Sequence, residues 1–215
     1  MKTMKKLIIF DYNGVLVDDL KVHEDAFVEL ARRHNPRITR QQIMEDFHLP
    51  SVEKTKRIIG NSDKLSIDEA QNEKEDIYIE MANKKGVLFP DTRETLEILD
   101  SKFALAINSN STQRQIRQVF PAELLGRFKT VLTYEDIEKP KPDPSSLNMI
   151  MKNLGFNTED TAYVGDTPSD MKAAKNAGVK AIGIDTGNNS EKELLDAGAD
   201  VLVHSLKELP GCLES

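Results

Sequence analysis

Asp11 and Asn13 stand directly behind the apolar run Leu7-Ile8-Ile9-Phe10 and flank the turn that Gly14 opens. Three further polar clusters follow apolar runs in the same way. Asn108-Ser109-Asn110-Ser111 follows residues 103–107, Lys139-Pro140-Lys141-Pro142-Asp143-Pro144 lies shortly beyond 130–133, and Gly165-Asp166-Thr167-Pro168-Ser169-Asp170 follows 162–164. A carboxylate nucleophile, a hydroxyl, an ammonium and a second carboxylate pair suit phosphoryl transfer. An anionic carboxylate does not approach an anionic phosphate until charge is neutralised. A hard divalent cation held by Asp11 and Asp166 would do so, and oxygen ligands select Mg²⁺ over softer metals. Lys141 or Lys139 could screen the phosphoryl oxygens, with Ser109 and backbone N–H groups holding the equatorial ones. Asp11 would then become an aspartyl-phosphate, as carboxylate nucleophiles do in other phosphoryl-transfer enzymes.

These residues need a scaffold that gathers them. Apolar runs at 7–10, 103–107, 130–133, 162–164, 181–184 and 201–203 alternate with helical patterns, which reads as a parallel sheet with helices on both faces. The carboxyl ends of parallel strands share one rim, so clusters far apart in sequence can converge there. Pro144-Ser145-Ser146 opens a helix with Leu147, Ile150, Met151 and Leu154 on one face, stopped by Gly155; Met171, Ala174 and Ala177 ride another, ended by Gly178. Residues 19–85 break the alternation. They hold no strand-like run but several helical stretches, the first with His23, Ala26, Phe27, Leu30 and Ala31 at helical spacing and later ones at 43–47, 52–59 and 67–81. The expectation is a core of residues 1–18 and 86–215 with an all-helical insertion over 19–85.

The 215 residues are 39% hydrophobic and 30% charged, which is enough apolar content for one core plus an inserted module. The net charge of −7 argues against nucleic acid or an anionic membrane as partner, because a polyphosphate surface would be repelled. It leaves room for a small phosphorylated metabolite. Cys212 is the single cysteine and cannot form an internal disulfide, which suits a reducing compartment. Only four apolar residues separate the basic start from Asp11, too few for a signal peptide or a membrane span. The expected location is the cytoplasm.

Taken together, the four clusters resemble the four motifs of the haloacid dehalogenase-like hydrolases, in order and over essentially the whole chain. The resemblance implies an α/β Rossmann-like parallel sheet core with an inserted all-helical cap that closes over substrate. It implies Asp11 as nucleophile, Ser109 as the second-motif hydroxyl with Asn110 beside it for substrate, and Asp166 and Asp170 with Asp11 and Asn13 at a Mg²⁺ site. Lys141 resembles the third-motif lysine by its distance from Gly165-Asp166, with Lys139 as the alternate. His23 sits where many relatives carry a cap-hinge histidine and is a substrate-binding candidate. The subgroup it looks most like is the phosphoglycolate phosphatases.

Asn13 departs from that pattern, because the phosphatases carry a second Asp there that protonates the leaving group and later activates water. An amide cannot exchange a proton near neutral pH, and such assistance is worth roughly a hundredfold to ten-thousandfold. The alternative functions are a weakly active or inactive phosphate-ester binder and, less favoured, a sugar phosphomutase. Each residue also has a plainer reading. Asp11 and Asp166 could shape turns, Asp170 could be a first-turn helix charge, Ser109 and Ser111 could cap the helix carrying Ile116, and His23 could be a packing residue.

Overall fold

The computed structural model describes residues 6–46, 49–60 and 65–213. Among them, six strands form one sheet: β1 (Leu7–Phe10), β2 (Ala104–Asn108), β3 (Thr130–Leu132), β4 (Thr161–Gly165), β5 (Lys180–Ile184) and β6 (Val201–Val203). The order is β3-β2-β1-β4-β5-β6, and every neighbouring pair is parallel. All six apolar runs are strands, and β1, β2 and β4 are buried along their full length. Strands covered on both faces have no solvent side to make polar, so they read as unbroken apolar runs.

By contact density the chain divides into a sheet unit, Met1–Asp18 with Leu88–Ser215, and a helical unit, Asp19–Val87. The helical unit contains α1 (Leu20–His34), α2 (Arg40–Glu45), α3 (Ser51–Ile59) and α4 (Ile67–Lys85). Val22, Ala26, Phe27, Leu30 and Ala31 recur at helical spacing on α1 and are buried, as are Ile58 of α3 and Ile77 and Tyr78 of α4. Thr39 and Gln42 form a capping box on α2, and Ser66 and Glu69 form one on α4. Of the helical stretch expected at 43–47, Phe47 lies outside the described residues.

The sheet unit adds α5 (Thr92–Lys102), α6 (Gln113–Val119), α7 (Ala122–Leu125), α8 (Ser145–Leu154), α9 (Pro168–Ala177), α10 (Glu191–Asp196) and α11 (Leu209–Leu213). Side chains alternate across a strand. Leu7, Ile9, Ala106 and Tyr163 therefore share one face, buried with Leu147 and Ile150 of α8 and Met171 and Ala174 of α9. Elsewhere Phe10 meets Phe128, and Tyr12 meets Phe120, edge to face.

Strand order fixes where a site can form. The chain runs from β1 outward to β3 on one side, then returns to place β4 on the other. Open α/β sheets bind ligands beyond the carboxyl ends of the strands where the order reverses. Phe10, the last residue of β1, is paired with Ile107 and with Val164. Asp11 therefore leaves the sheet abreast of Asn108 and Gly165.

Candidate active site

Asp11 keeps one foot in the sheet: its N–H donates to the Val164 carbonyl at 2.8 Å. Its Oδ1 accepts from the Tyr12 N–H at 2.7 Å, which fixes the side-chain rotation. The chain then folds back sharply, with the N–H groups of Leu16 and Val17 donating to the Tyr12 carbonyl. Gly14 makes that turn with a φ of +71°, a conformation that penalises a side chain. A Cβ at this position would also lie 2.3 Å from Asp166 Oδ2. The glycine after the first motif therefore shapes the turn and leaves space for a carboxylate from the loop behind β4.

The two candidate lysines separate clearly. The Lys139 side chain is 71% exposed and comes only to 4.0 Å from Asp143, whereas that of Lys141 is 5% exposed. Lys141 Nζ lies 3.0 Å from Asp11 Oδ2 and 2.7 Å from Asp170 Oδ1. It also donates to the Tyr163 hydroxyl at 3.1 Å, and that hydroxyl donates to Asp170 Oδ1 at 2.9 Å. Burial opposes the charge on Lys141, but Asp11 and Asp170 outweigh it and hold the ammonium well above its ordinary pKa. Burial, reinforced by Asp170, pushes the Tyr163 phenol up, so it stays protonated and able to donate.

Asp170 sits at the third position of α9, behind Thr167 at the N-cap and Pro168 at the first turn. Its Oδ2 accepts from the Thr167 N–H at 3.1 Å and from the Thr167 hydroxyl at 2.6 Å. Oδ1 serves Lys141 and Tyr163. Asp170 thus stands in the first turn of α9 and in the charged cluster at once, with one oxygen turned to each. Sequence reasoning missed Tyr163, which was hidden inside an apolar run. Thr167 carried a readable signal, the T-x-x-D spacing of a capping box.

Asp11, Asp166 and Asp170 bring one carboxylate oxygen each within 4.8 Å of one another, all from buried residues. One ammonium faces three acids. Burial first, eased by Lys141 and worsened by Asp170, pushes Asp11 up to about 7. Burial, then the charges of Asp11 and Asp170, push Asp166 up to about 8. Asp166 Oδ1 is buried without a hydrogen-bond donor. An orphaned carboxylate oxygen grouped with two further carboxylates fits a small hard divalent cation.

Asn13 accepts a 2.6 Å hydrogen bond on Oδ1 from the Ser111 hydroxyl. Ser109 is fully buried after β2, and its hydroxyl accepts from the Ser111 N–H at 3.0 Å. Asn110 is exposed between them. The helix-cap expectation for Ser109 and Ser111 is corrected: Thr112 caps α6 by accepting from the Gln115 N–H. A hydroxyl caps a helix only from the residue adjoining its first turn, and the two serines precede that residue. His23 belongs to the helical unit. Its ring stacks on Tyr78 at 4.1 Å, with Nε2 3.3 Å from Asp19 Oδ2 and Nδ1 2.8 Å from Lys74 Nζ. Both ring nitrogens are engaged within that unit.

Comparison with known proteins places this geometry in context. Residues 8–184 match the family model described as haloacid dehalogenase-like hydrolase. The phosphoglycolate phosphatase of Pseudomonas fluorescens (strain Pf0-1) is 28% identical over 222 aligned residues, covering 99% of this chain and 81% of that protein. The phosphoglycolate phosphatase of Pseudomonas syringae pv. tomato is 29% identical, covering 98% and 81% respectively. Among solved structures, CbbY from Rhodobacter sphaeroides in complex with phosphate superposes with a TM-score of 0.78 at 21% identity, covering 96% of each chain. A hydrolase from Pseudomonas syringae gives a TM-score of 0.78 at 20% identity, covering 98% of each chain.

Proposed function

Since this chain belongs to the haloacid dehalogenase-like hydrolase family, we propose that it is a Mg²⁺-dependent phosphohydrolase acting on a small phosphorylated metabolite, in the manner of its phosphoglycolate phosphatase relatives. The observation that carries this reading is Lys141, buried between Asp11 at 3.0 Å and Asp170 at 2.7 Å. That placement leaves Asp11 oriented, ionisable and at the sheet rim, which a nucleophile requires. Asp11 and Asp166 would hold the cation, with the charge of Asp170 in the same group while its oxygens serve Lys141, Tyr163 and Thr167. The cation supplies charge neutralisation for the incoming phosphate.

In the first step an Asp11 oxygen attacks phosphorus and the ester oxygen departs with its electron pair, giving an aspartyl-phosphate. In the second step water attacks that phosphorus, phosphate leaves, and the Asp11 carboxylate is restored. Lys141 offsets negative charge in both. The leaving alkoxide must take its proton from solvent water, and the water of the second step must return one to solvent, because Asn13 can neither give nor take a proton. Its carbonyl, already accepting from Ser111, can orient water but not ionise it. We therefore assign this chain a slow second step, with acyl and aryl phosphates least affected in the first. The same amide supports a second reading, a phosphate-ester binder with little turnover. The helical residues 19–85 are read as the cap that selects among esters.

The test is phosphate release with and without Mg²⁺ from phosphoglycolate, sugar phosphates, acetyl phosphate and an aryl phosphate. Three proteins are compared: the chain itself, Asp11→Ala and Asn13→Asp. Asp11→Ala is expected to abolish release, and Asn13→Asp to raise turnover of alkyl esters roughly a hundredfold to ten-thousandfold. Activity surviving in Asp11→Ala defeats the nucleophile assignment. Turnover confined to Asn13→Asp favours the binder.

A further inference from the structure

The loop between β5 and α10, residues 185–190, belongs to none of the four polar clusters, yet it closes on Asp166. Gly187 presses bare backbone against that side chain: a Cβ there would lie 2.0 Å from Oδ2, 2.9 Å from Cγ and 3.1 Å from the Asp166 Cβ. Two residues on, Asn189 Nδ2 donates to the Asp166 backbone carbonyl at 3.1 Å. One residue before, the Thr186 hydroxyl donates to the Gly14 carbonyl at 2.5 Å, on the very turn that also crowds Oδ2. The loop itself is pinned at both ends. Asp185 pairs with His204 at 2.9 Å, and Ser190 begins α10 with a capping box to Glu193.

The result is a carboxylate whose Oδ2 is packed against the backbone of Gly14 and Gly187 while Oδ1 is buried without a protein donor. Only glycine at both positions lets the two backbones come this close, and that close packing fixes the direction in which the carboxylate points. We infer that Thr186, Gly187 and Asn189 are positioning residues that lock Asp166 with Oδ1 presented to a divalent cation. This rests on the reading of Asp166 as a cation ligand. Groups that orient a metal ligand from outside typically contribute roughly 10–100-fold in metal affinity.

The experiment is direct Mn²⁺ binding, by titration calorimetry and by the spin-resonance signal of the free ion, on metal-stripped protein without substrate. Gly187→Ala is expected to weaken Mn²⁺ binding roughly 10–100-fold and Asn189→Ala roughly tenfold. Asn188→Ala, exposed on the same loop, leaves it unchanged. Thermal unfolding with chelator present checks that each variant is folded; if Gly187→Ala is not, Thr186→Val and Asn189→Ala carry the test. Unchanged affinity in the folded positioning variants overturns the inference while the parent's Mn²⁺ binding still stands. An equal loss in Asn188→Ala also overturns it, since the effect then belongs to the loop as a whole. A parent that binds no Mn²⁺ overturns both this inference and the cation reading of the site.

Discussion

Replacing Lys141 by methionine isolates the electrostatic balance of the site. The side chain keeps its length and loses its charge, leaving Asp11, Asp166 and Asp170 together with no cation. At separations of 3.0 and 2.7 Å, each ion pair has a gross attraction of about 5–6 kcal/mol at an effective dielectric of about 20. Desolvation offsets most of that, and breaking a buried pair costs about 3–5 kcal/mol. The fold has one escape, which is to protonate a carboxylate. At pH 5 Asp11 and Asp166, pushed up to about 7 and about 8, already carry protons in the parent, so losing Lys141 leaves one further carboxylate to neutralise. From an ordinary value of 3.8, that proton costs roughly 2 kcal/mol at pH 5 and roughly 6 kcal/mol at pH 8. The sign follows from linkage: an acid whose folded pKa is raised keeps its stability below the unfolded value and loses it as pH rises. Lys141→Met should therefore cost about 2 kcal/mol at pH 5 and about 3–5 kcal/mol at pH 8. Urea unfolding by circular dichroism, with chelator present, measures both. Equal costs at the two pH values would refute the reasoning, because the loss would then come from packing rather than charge.

Two further outcomes follow from the same physics. In metal-free protein, Asp11 and Asp166 are pushed up to about 7 and about 8, so their stabilising contribution is lost as pH rises through that window. Mg²⁺ should raise the melting temperature more at pH 8 than at pH 6, and scanning fluorimetry reads the difference. In the helical unit, burial first and then Lys54 push Lys74 down to about 7, with Nζ 4.8 Å from the Phe27 ring centre. A base with a depressed folded pKa costs most when pH is low enough to charge it. Lys74→Met should stabilise by about 1–4 kcal/mol at pH 6 and by less at pH 9, measured by denaturant unfolding.

The sheet was legible because its strands are covered on both faces, and β1 can be read residue for residue from Leu7-Ile8-Ile9-Phe10. The carboxylates were legible because polar residues directly behind such runs lie at the rim, whereas Lys141, well past the end of β3, was legible only through the resemblance. The resemblance favoured Lys141 by its distance from Gly165-Asp166 and kept Lys139 as the alternate, whereas burial separates them in three dimensions. Tyr163 was not legible, because a phenol on the covered face of β4 looks like any aromatic core residue until its hydroxyl meets Lys141. The loop carrying Thr186, Gly187 and Asn189 was also silent. Gly-Asn-Asn-Ser is ordinary loop composition, and its contacts with Asp166 come from the β4–β5 pairing at Gly165 and Gly183 rather than from any local pattern.

The central position of β1 also sets a schedule for biosynthesis. Its partners on either side, β2 and β4, begin about 100 and about 150 residues later in the chain. At about 5–20 residues per second, the nascent strand waits on the order of 10–30 seconds for its second neighbour. Throughout that interval Leu7-Ile8-Ile9-Phe10 lacks one or both flanking strands. Asp19–Val87 is made during the wait and contains only helices among its described residues, offering no strand for the idle edge to capture. A β-rich insertion at the same place would compete for that edge before β4 emerged. A helical segment at this place thus leaves the idle edge of β1 without a competing strand while the rest of the sheet is made.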